Sequence, residues 1–241
     1  MKNNKVKVIF SSPLEPLNDN PDLFVQPARN FIPDGWKKLP NYHKEMPPLD
    51  NIYKYKTLSQ YATAKVCPSF GQIWNEGYVL VAPCDISIRY NFDTKQHIWE
   101  TAIGGFQINR HYDYQYIDYI KDSGFQGVFK IDNLYTCQTP KGYSIRQIPL
   151  LWHHNKQFEV AYGVIHTDQY FEINPQVMMR TGVEEIFIKQ GDPICYIVPF
   201  KRIETELIIE KYDDNKHYLN RIINTGKFTR GYLTKFKNLN S

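Results

Sequence analysis

Apolar residues recur at every second position in short runs along the chain, and Gly and Pro cut the runs off. A period of two is the signature of strands with one buried face. Gly77–Pro83 (GYVLVAP) and Asp85–Phe92 (DISIRYNF) read as consecutive strands with Pro83 at their junction. His97–Gly104, Gly127–Pro140, Gly142–Trp152 and Phe158–Thr167 continue the pattern, and Val6–Phe10 reads as a first strand. Glu184–Glu204 reads as a β-hairpin, its apolar runs Ile186–Ile188 and Ile194–Val198 flanking a turn at Gly191 and Asp192.

Helical signals are sparse. Pro13, Pro16, Pro21, Pro27, Pro33, Pro40, Pro47 and Pro48 each remove a backbone donor, so the first fifth of the chain holds no long helix. Phe24, Phe31, Ile32 and Trp36 give that stretch apolar weight, which predicts an extended arm packed on the surface. Leu58–Cys67 reads as a short helix stopped by Pro68, and Asn215–Asn224 as a helix capped by Asp213 or Asp214 and ended by Gly226. The expected fold is all-β and mainly antiparallel, a sandwich or barrel-like core. A single domain over 1–241 is expected: an arm at 1–56, a β core at 57–205, and a helix with a basic tail at 206–241.

Composition refines this picture little. Tyr outnumbers Phe, 18 to 14, which suits half-buried sheet faces and interfaces. The net charge of +4 is too mild to argue for nucleic acid. Its excess sits in the tail, where Lys211, Lys216, Arg221, Lys227, Arg230, Lys235 and Lys237 face only Asp213 and Asp214. Cys67, Cys84, Cys137 and Cys195 form no CxxC pair and no zinc-like spacing, so free thiols are expected. With no charged-then-apolar leader and no long apolar run, the reading is a soluble protein in a reducing cytoplasm and no membrane partner.

Two resemblances emerge from specific blocks. FIPDGWKKLP, ATAKVCPSFGQIWNEGYVLVAP, TPKGYSIRQIP, GVIHTDQY and KQGDPICYIVPFKR together resemble successive blocks of an uncharacterised family of phages and marine bacteria, for which no activity is established. More distantly, PKGYSI (Pro140–Ile145), GVIHTDQY (Gly163–Tyr170) and IFIKQGDPICYIV resemble the second half of the dUTPase-like β-clip fold. That resemblance covers about a third of the chain and implies a β-clip core and a homo-oligomer, a trimer in such enzymes. It also shows what is absent. Where those enzymes carry the acid that orients the attacking water, this chain has His166; the second acid is kept as Asp168 and the following aromatic as Tyr170. Their phosphate-gripping Arg-Ser-Gly motif has no equivalent in Gln147–Lys156. Losing both removes positioning and electrostatic stabilisation together.

Two functions remain in view. One is a non-catalytic binding or assembly module, phage-encoded or phage-related, acting in the host cytoplasm or as part of a virion. The other is an enzyme on a nucleotide, with Mg²⁺ as the only implied cofactor. There Asp168 holds water or the ion, His166 is a candidate base, Tyr143 or Tyr170 stacks the base, and Lys141 or Arg146 meets phosphate. A third reading takes His166-Thr-Asp168 as the His-x-Asp pair of a non-haem iron oxygenase, with His217 as third ligand and Lys227 near a carboxylate. Adjacent His153 and His154 would point to opposite faces on a strand and share a metal only from a loop. Tyr112, Tyr114 and Tyr116 would line one strand face as a stacking platform or an interface. No phosphate-binding loop or dinucleotide fingerprint is present.

Overall fold

The computed structural model describes residues 5–42, 62–94, 96–105, 107–116, 122–132, 134–213 and 218. The chain divides into two compact units: Lys5–Ile32 with Trp74–Arg202, and Met1–Asn4 with Pro33–Ile73 and Ile203–Ser241.

The first unit is mainly antiparallel β structure, with fifteen strands among the described residues arranged in four sheets. One sheet runs β1 (Ile9–Ser11), β8 (Tyr135–Gln138), β12 (Glu172–Ile173). A second runs β10 (Phe158–Val160), β13 (Gln176–Arg180), β7 (Phe125–Asp132), β6 (Gln107–Arg110). The third and widest runs β11 (Gly163–Ile165), β9 (Tyr143–Ile148), β15 (Pro193–Lys201), β3 (Tyr78–Val81), β2 (Val25–Pro27). The fourth runs β14 (Glu185–Ile188), β4 (Ile86–Asn91), β5 (Gln96–Thr101).

Two long ribbons tie these sheets together. β3 pairs with β15 in one sheet, while the strands next to them in sequence, β4 and β14, pair in another. The ribbon changes sheets at one corner, where Ala82 N–H donates to the Asp192 carbonyl and Gly191 N–H to the Ala82 carbonyl, both at 2.9 Å. Gln190 closes the corner, its N–H on Asp85 Oδ1 at 2.7 Å and its amide on the Pro83 carbonyl at 2.9 Å. Gly191 holds φ +84° there, a conformation that a side chain would oppose. β7 and β8 repeat the device against β13 and β12, turning at Asn174 and Pro175.

This arrangement corrects the hairpin expected at 184–204. The turn at Gly191–Asp192 exists, but β14 and β15 do not pair with each other; each joins its own sheet. Periodicity reports which residues face inward and is blind to the partner strand. Gly127–Pro140 likewise splits into β7 and β8, and Phe158–Thr167 into β10 and β11, each half in a different sheet. The first strand starts later than expected, at Ile9.

Side chains from all four sheets meet in one core, with Ile86, Ile88, Phe129, Ile131, Ile145, Val177, Ile186 and Ile197 buried. The Pro-rich start folds as short turns of helix, Glu15–Asp19 and Pro21–Leu23, with Pro in the first turn of each, where its missing N–H costs nothing. It adds β1 and β2 to the sheets and Leu17, Phe24 and Ala28 to the buried set. Phe24 stacks on Tyr135 at 5.3 Å, and the Tyr135 hydroxyl donates to the Val81 carbonyl at 2.7 Å.

In the second unit, the described residues include the helix Asp34–Lys38, a bridge between Tyr42 and Ala62, and the turn Ala64–Val66. Of the short helix expected at 58–67, residues 58–61 lie outside the described residues; the rest holds the turn Ala64–Val66, and the helix Pro68–Gly71 starts at the proline that was expected to stop it. Residues 203–213 form neither helix nor strand, and Ile203, Leu207, Ile208 and Ile209 are all exposed. The helix expected at Asn215–Asn224 lies outside the described residues except for Tyr218. No helix among the described residues is long and apolar enough to cross a membrane.

Candidate functional site

Two turns meet at the end of β9 and β11. The first is Pro140-Lys141-Gly142-Tyr143, closed by Tyr143 N–H on the Pro140 carbonyl at 3.0 Å, with Gly142 at φ +84°. Glycine at the third position is what such a turn demands. The second follows β11, where the His166 carbonyl accepts from the N–H groups of Gln169 and Tyr170, both at 2.9 Å. Buried Thr167 ties the two together through Thr139, hydroxyl to hydroxyl at 2.8 Å. GVIHTDQY is thus a short strand and a tight turn stapled onto its neighbour.

Asp168 sits where the turns touch, its side chain only 4% exposed. Both carboxylate oxygens are engaged by Arg202 in a two-pronged pair, through Nη1 at 2.9 Å and Nη2. Gly142 N–H adds a third donor to Oδ2 at 2.8 Å. The Arg202 hydrogen bond, then the Gly142 N–H, hold the Asp168 carboxyl down at about 2, and Asp168 in turn raises the Arg202 guanidinium. Arg202 stands just past β15 and is anchored by its own N–H on the Gly142 carbonyl at 2.8 Å. Its Nη1 also reaches the Tyr143 carbonyl at 2.9 Å and Ser144 Oγ at 2.6 Å.

His166 joins this cluster. Its Nδ1 lies 2.8 Å from Ser144 Oγ and 3.3 Å from Arg202 Nη1. Facing an arginine that can only donate, Nδ1 accepts, which places the ring hydrogen on Nε2. The residue itself is exposed, while Ser144 is fully buried. A hydroxyl shut away from solvent beside a charged guanidinium is a bridge in the network and offers no reach to a substrate.

The remaining sequence candidates surround the cluster unevenly. Tyr143 contributes its backbone carbonyl. Lys141 is exposed on the first turn and takes no ion pair among the described residues. Arg146, two residues along β9 from Ser144 and so on the same face, lays its guanidinium over Phe200 at 4.3 Å. Tyr170 turns away, its hydroxyl donating to Glu172 Oε2 at 2.9 Å. His166, Asp168 and the Lys141 turn therefore share one corner with Arg146 alongside, and Tyr170 belongs elsewhere. His217 and Lys227 lie outside the described residues. No group of three or more His, Cys, Asp or Glu among the described residues is placed to hold a metal. Among described residues that could take Mg²⁺, Asp168 has both oxygens committed to arginine.

Arg202 and Ser144 are the working members that sequence reading passed over. Both lie inside quoted blocks, PFKR and KGYSIR, yet only the pairing of β15 with β9 brings them beside Asp168.

His153 and His154 part company in the loop after β9. His153 Nε2 meets the Tyr196 hydroxyl at 2.9 Å, the same oxygen that accepts from Trp74 Nε1 at 2.9 Å. Burial lowers the His153 pKa, against a hydrogen bond to the Phe31 carbonyl that raises it. His154 adopts φ +52° instead and takes no part in that chain. The tyrosine face expected at 112–116 is a turn, Asp113–Gln115, in which Tyr112 and Tyr114 stack with centroids 5.4 Å apart, both exposed.

No protein-family model matches the chain, and no curated protein is similar to it in sequence. Among solved structures, it is similar to a mutant dUTPase from phage phi11 of S. aureus, described for its coordination of a structural Mg(II) ion. The likeness is distant: 8% identity and a TM-score of 0.31, over 58% of this chain and 85% of that one.

Proposed function

We propose that the protein is a non-catalytic binding or assembly module, phage-encoded or phage-related, built on a dUTPase-like β-clip scaffold. The scaffold reading rests on the order of the PKGYSI, GVIHTDQY and Gly-Asp-turn blocks. The observation that carries the function is the fate of Asp168, the one acid retained in the turn: Arg202 and Gly142 set three donors on its two oxygens, and its partner acid is replaced by His166. A carboxylate clamped this way, three donors on its two oxygens, stiffens a corner and is held against an arginine instead of facing a substrate. Self-association, with a trimer as the form the resemblance implies, is supported by the exposed apolar run Ile203, Leu207, Ile208 and Ile209. The module would act in the host cytoplasm or in the virion.

A second reading, nucleotide binding, draws on Lys141, Arg146 and His166, all exposed around an Asp168–Arg202 pair whose charges cancel. One experiment separates the two. Purified protein is incubated with nucleoside triphosphates, dUTP included, and Mg²⁺, while light scattering gives its mass. The module reading expects an oligomer, no product and no rise in melting temperature. A rise without product favours a nucleotide-binding scaffold, and turnover abolished by Asp168→Ala would overturn the non-catalytic reading.

A further inference from the structure

The loop between β9 and β10 borders a half-open pocket of about 210 Å³ that no member of the Asp168 cluster lines. Phe158, Val160 and Ile194 supply a buried apolar floor, and Pro149, Leu150 and Leu151 one wall. Trp152, His154, Asn155, Glu159 and Arg180 complete the lining. An apolar cavity of about 150 Å³ admits a benzene ring. The space here therefore suits one ring with a small substituent.

Arg180 decides which substituent. Its guanidinium is held in place from three sides. Nε donates to the Asn155 carbonyl at 3.3 Å, Nη2 to Glu159 Oε2 at 2.9 Å, and the plane lies over Phe125 at 5.4 Å. Nη1 takes no partner among the described residues. Asn155 Oδ1 is already spent on the N–H groups of Gln157 and Phe158, at 2.8 and 3.0 Å. Arg180 thus lines the pocket with an Nη1 that has no protein partner among the described residues, paired with a Glu159 carboxylate in the same lining, while the Asn155 amide oxygen is closed to a ligand.

The loop is also strained in a way that a mere connection does not require. Trp152 and His154 both sit in the left-handed region, at φ +68° and +52°, where side-chain-bearing residues are rare. Such residues gather at ligand-holding segments, where the surrounding structure compels them. Both line this pocket.

We infer that the pocket binds a small single-ring molecule bearing a carbonyl or carboxylate, with the ring on Phe158, Val160 and Ile194 and the oxygen on Arg180 Nη1. The inference stands independently of the function proposed above, because it uses neither Asp168 nor the exposed 203–213 segment.

Ligand-observed NMR with benzoate, benzamide and benzylamine tests it. Benzoate and benzamide are expected to bind with Kd of roughly 0.1–10 mM, as ligands of so few atoms do. Benzylamine, which presents a cation and no acceptor oxygen, should bind at least tenfold more weakly. Arg180→Met keeps a linear stem over Phe125 and removes the donors, so it should weaken benzoate at least tenfold. Leu150→Trp fills the space while leaving Arg180 intact, and should abolish binding of all three probes. Amide spectra of both variants, unchanged outside residues 149–160, establish that they fold. The proposal is overturned if benzylamine binds as well as benzoate, if no probe binds at 10 mM, or if the folded variants bind benzoate like the parent.

Discussion

Replacing Tyr196 by Phe removes one oxygen and nothing else, yet that oxygen serves two neighbours. It accepts from Trp74 Nε1 and meets His153 Nε2, both at 2.9 Å. Tyr196 is fully buried and Trp74 is 3% exposed, so water cannot readily replace the hydroxyl on the indole side. A buried donor deprived of its acceptor costs about 1–3 kcal/mol. His153 is only half-buried and can recover part of its bond from solvent, adding about 0.5–1 kcal/mol. The expected loss is about 1.5–4 kcal/mol, which in a chain of this length is a fall of about 3–16 °C in melting temperature. Calorimetry of the parent, Tyr196→Phe, Trp74→Phe and the double variant closes a cycle. Once Trp74 has no N–H to satisfy, deleting the hydroxyl should cost less, with a coupling of about 1–2 kcal/mol. A Tyr196→Phe melting temperature within about 1 °C of the parent, or full additivity, would refute this account of the network.

Four further outcomes follow from features already described. The Asp168 carboxyl, at about 2, lies below its ordinary value, so its contribution to stability is present above about pH 4 and lost as pH falls toward 2. Urea unfolding should show the gap between the parent and Asp168→Asn narrowing over that window; a constant gap would contradict the Arg202 pairing. The His153 pKa is lowered by burial, so the parent should lose stability as pH falls below about 6.5, and His153→Asn should flatten that slope. Gly191→Ala places a side chain at φ +84° in the ribbon corner and should cost about 1–2 kcal/mol in denaturant titration. Cys137, with its thiol pushed up to about 12 by burial, should resist a thiol reagent in the native state along with buried Cys84 and Cys195, leaving half-buried Cys67 to react first.

Strands were legible in the sequence wherever one face had to be buried. Tyr78–Val81 and Ile86–Asn91 fall inside the runs marked by alternation and Pro, and Gln96–Thr101 starts one residue before its run at His97. Partner choice was not legible. Nothing local distinguishes a Gly-Asp turn that returns a strand to its neighbour from one that hands it to another sheet, because the hydrogen bonds it makes with Ala82 and Asp85, a hundred residues away, make the difference. The same blindness hid Arg202. Local reading identified Asp168 as the acid to watch and left open what it does, since a carboxylate poised for water and one clamped by arginine look alike until the partner strand is placed. Turn chemistry explains the tyrosines: period two was the wrong ruler for Tyr112 and Tyr114, whose stacking comes from a tight turn.

The ribbon that switches sheets at Gly191 sets the order of events during synthesis. β4 leaves the ribosome about a hundred residues before β14, its only partner in the ribbon, and β3 waits equally long for β15. At translation rates of about 5–20 residues per second, those strands remain incomplete for about 5–20 s. Ile86, Ile88, Val79 and Leu80, fully buried at the end, are exposed throughout that interval unless β5 and β2 shield one edge first. Truncating the chain before residue 185 should therefore yield an aggregating product, and slowed synthesis should increase its demand for chaperones.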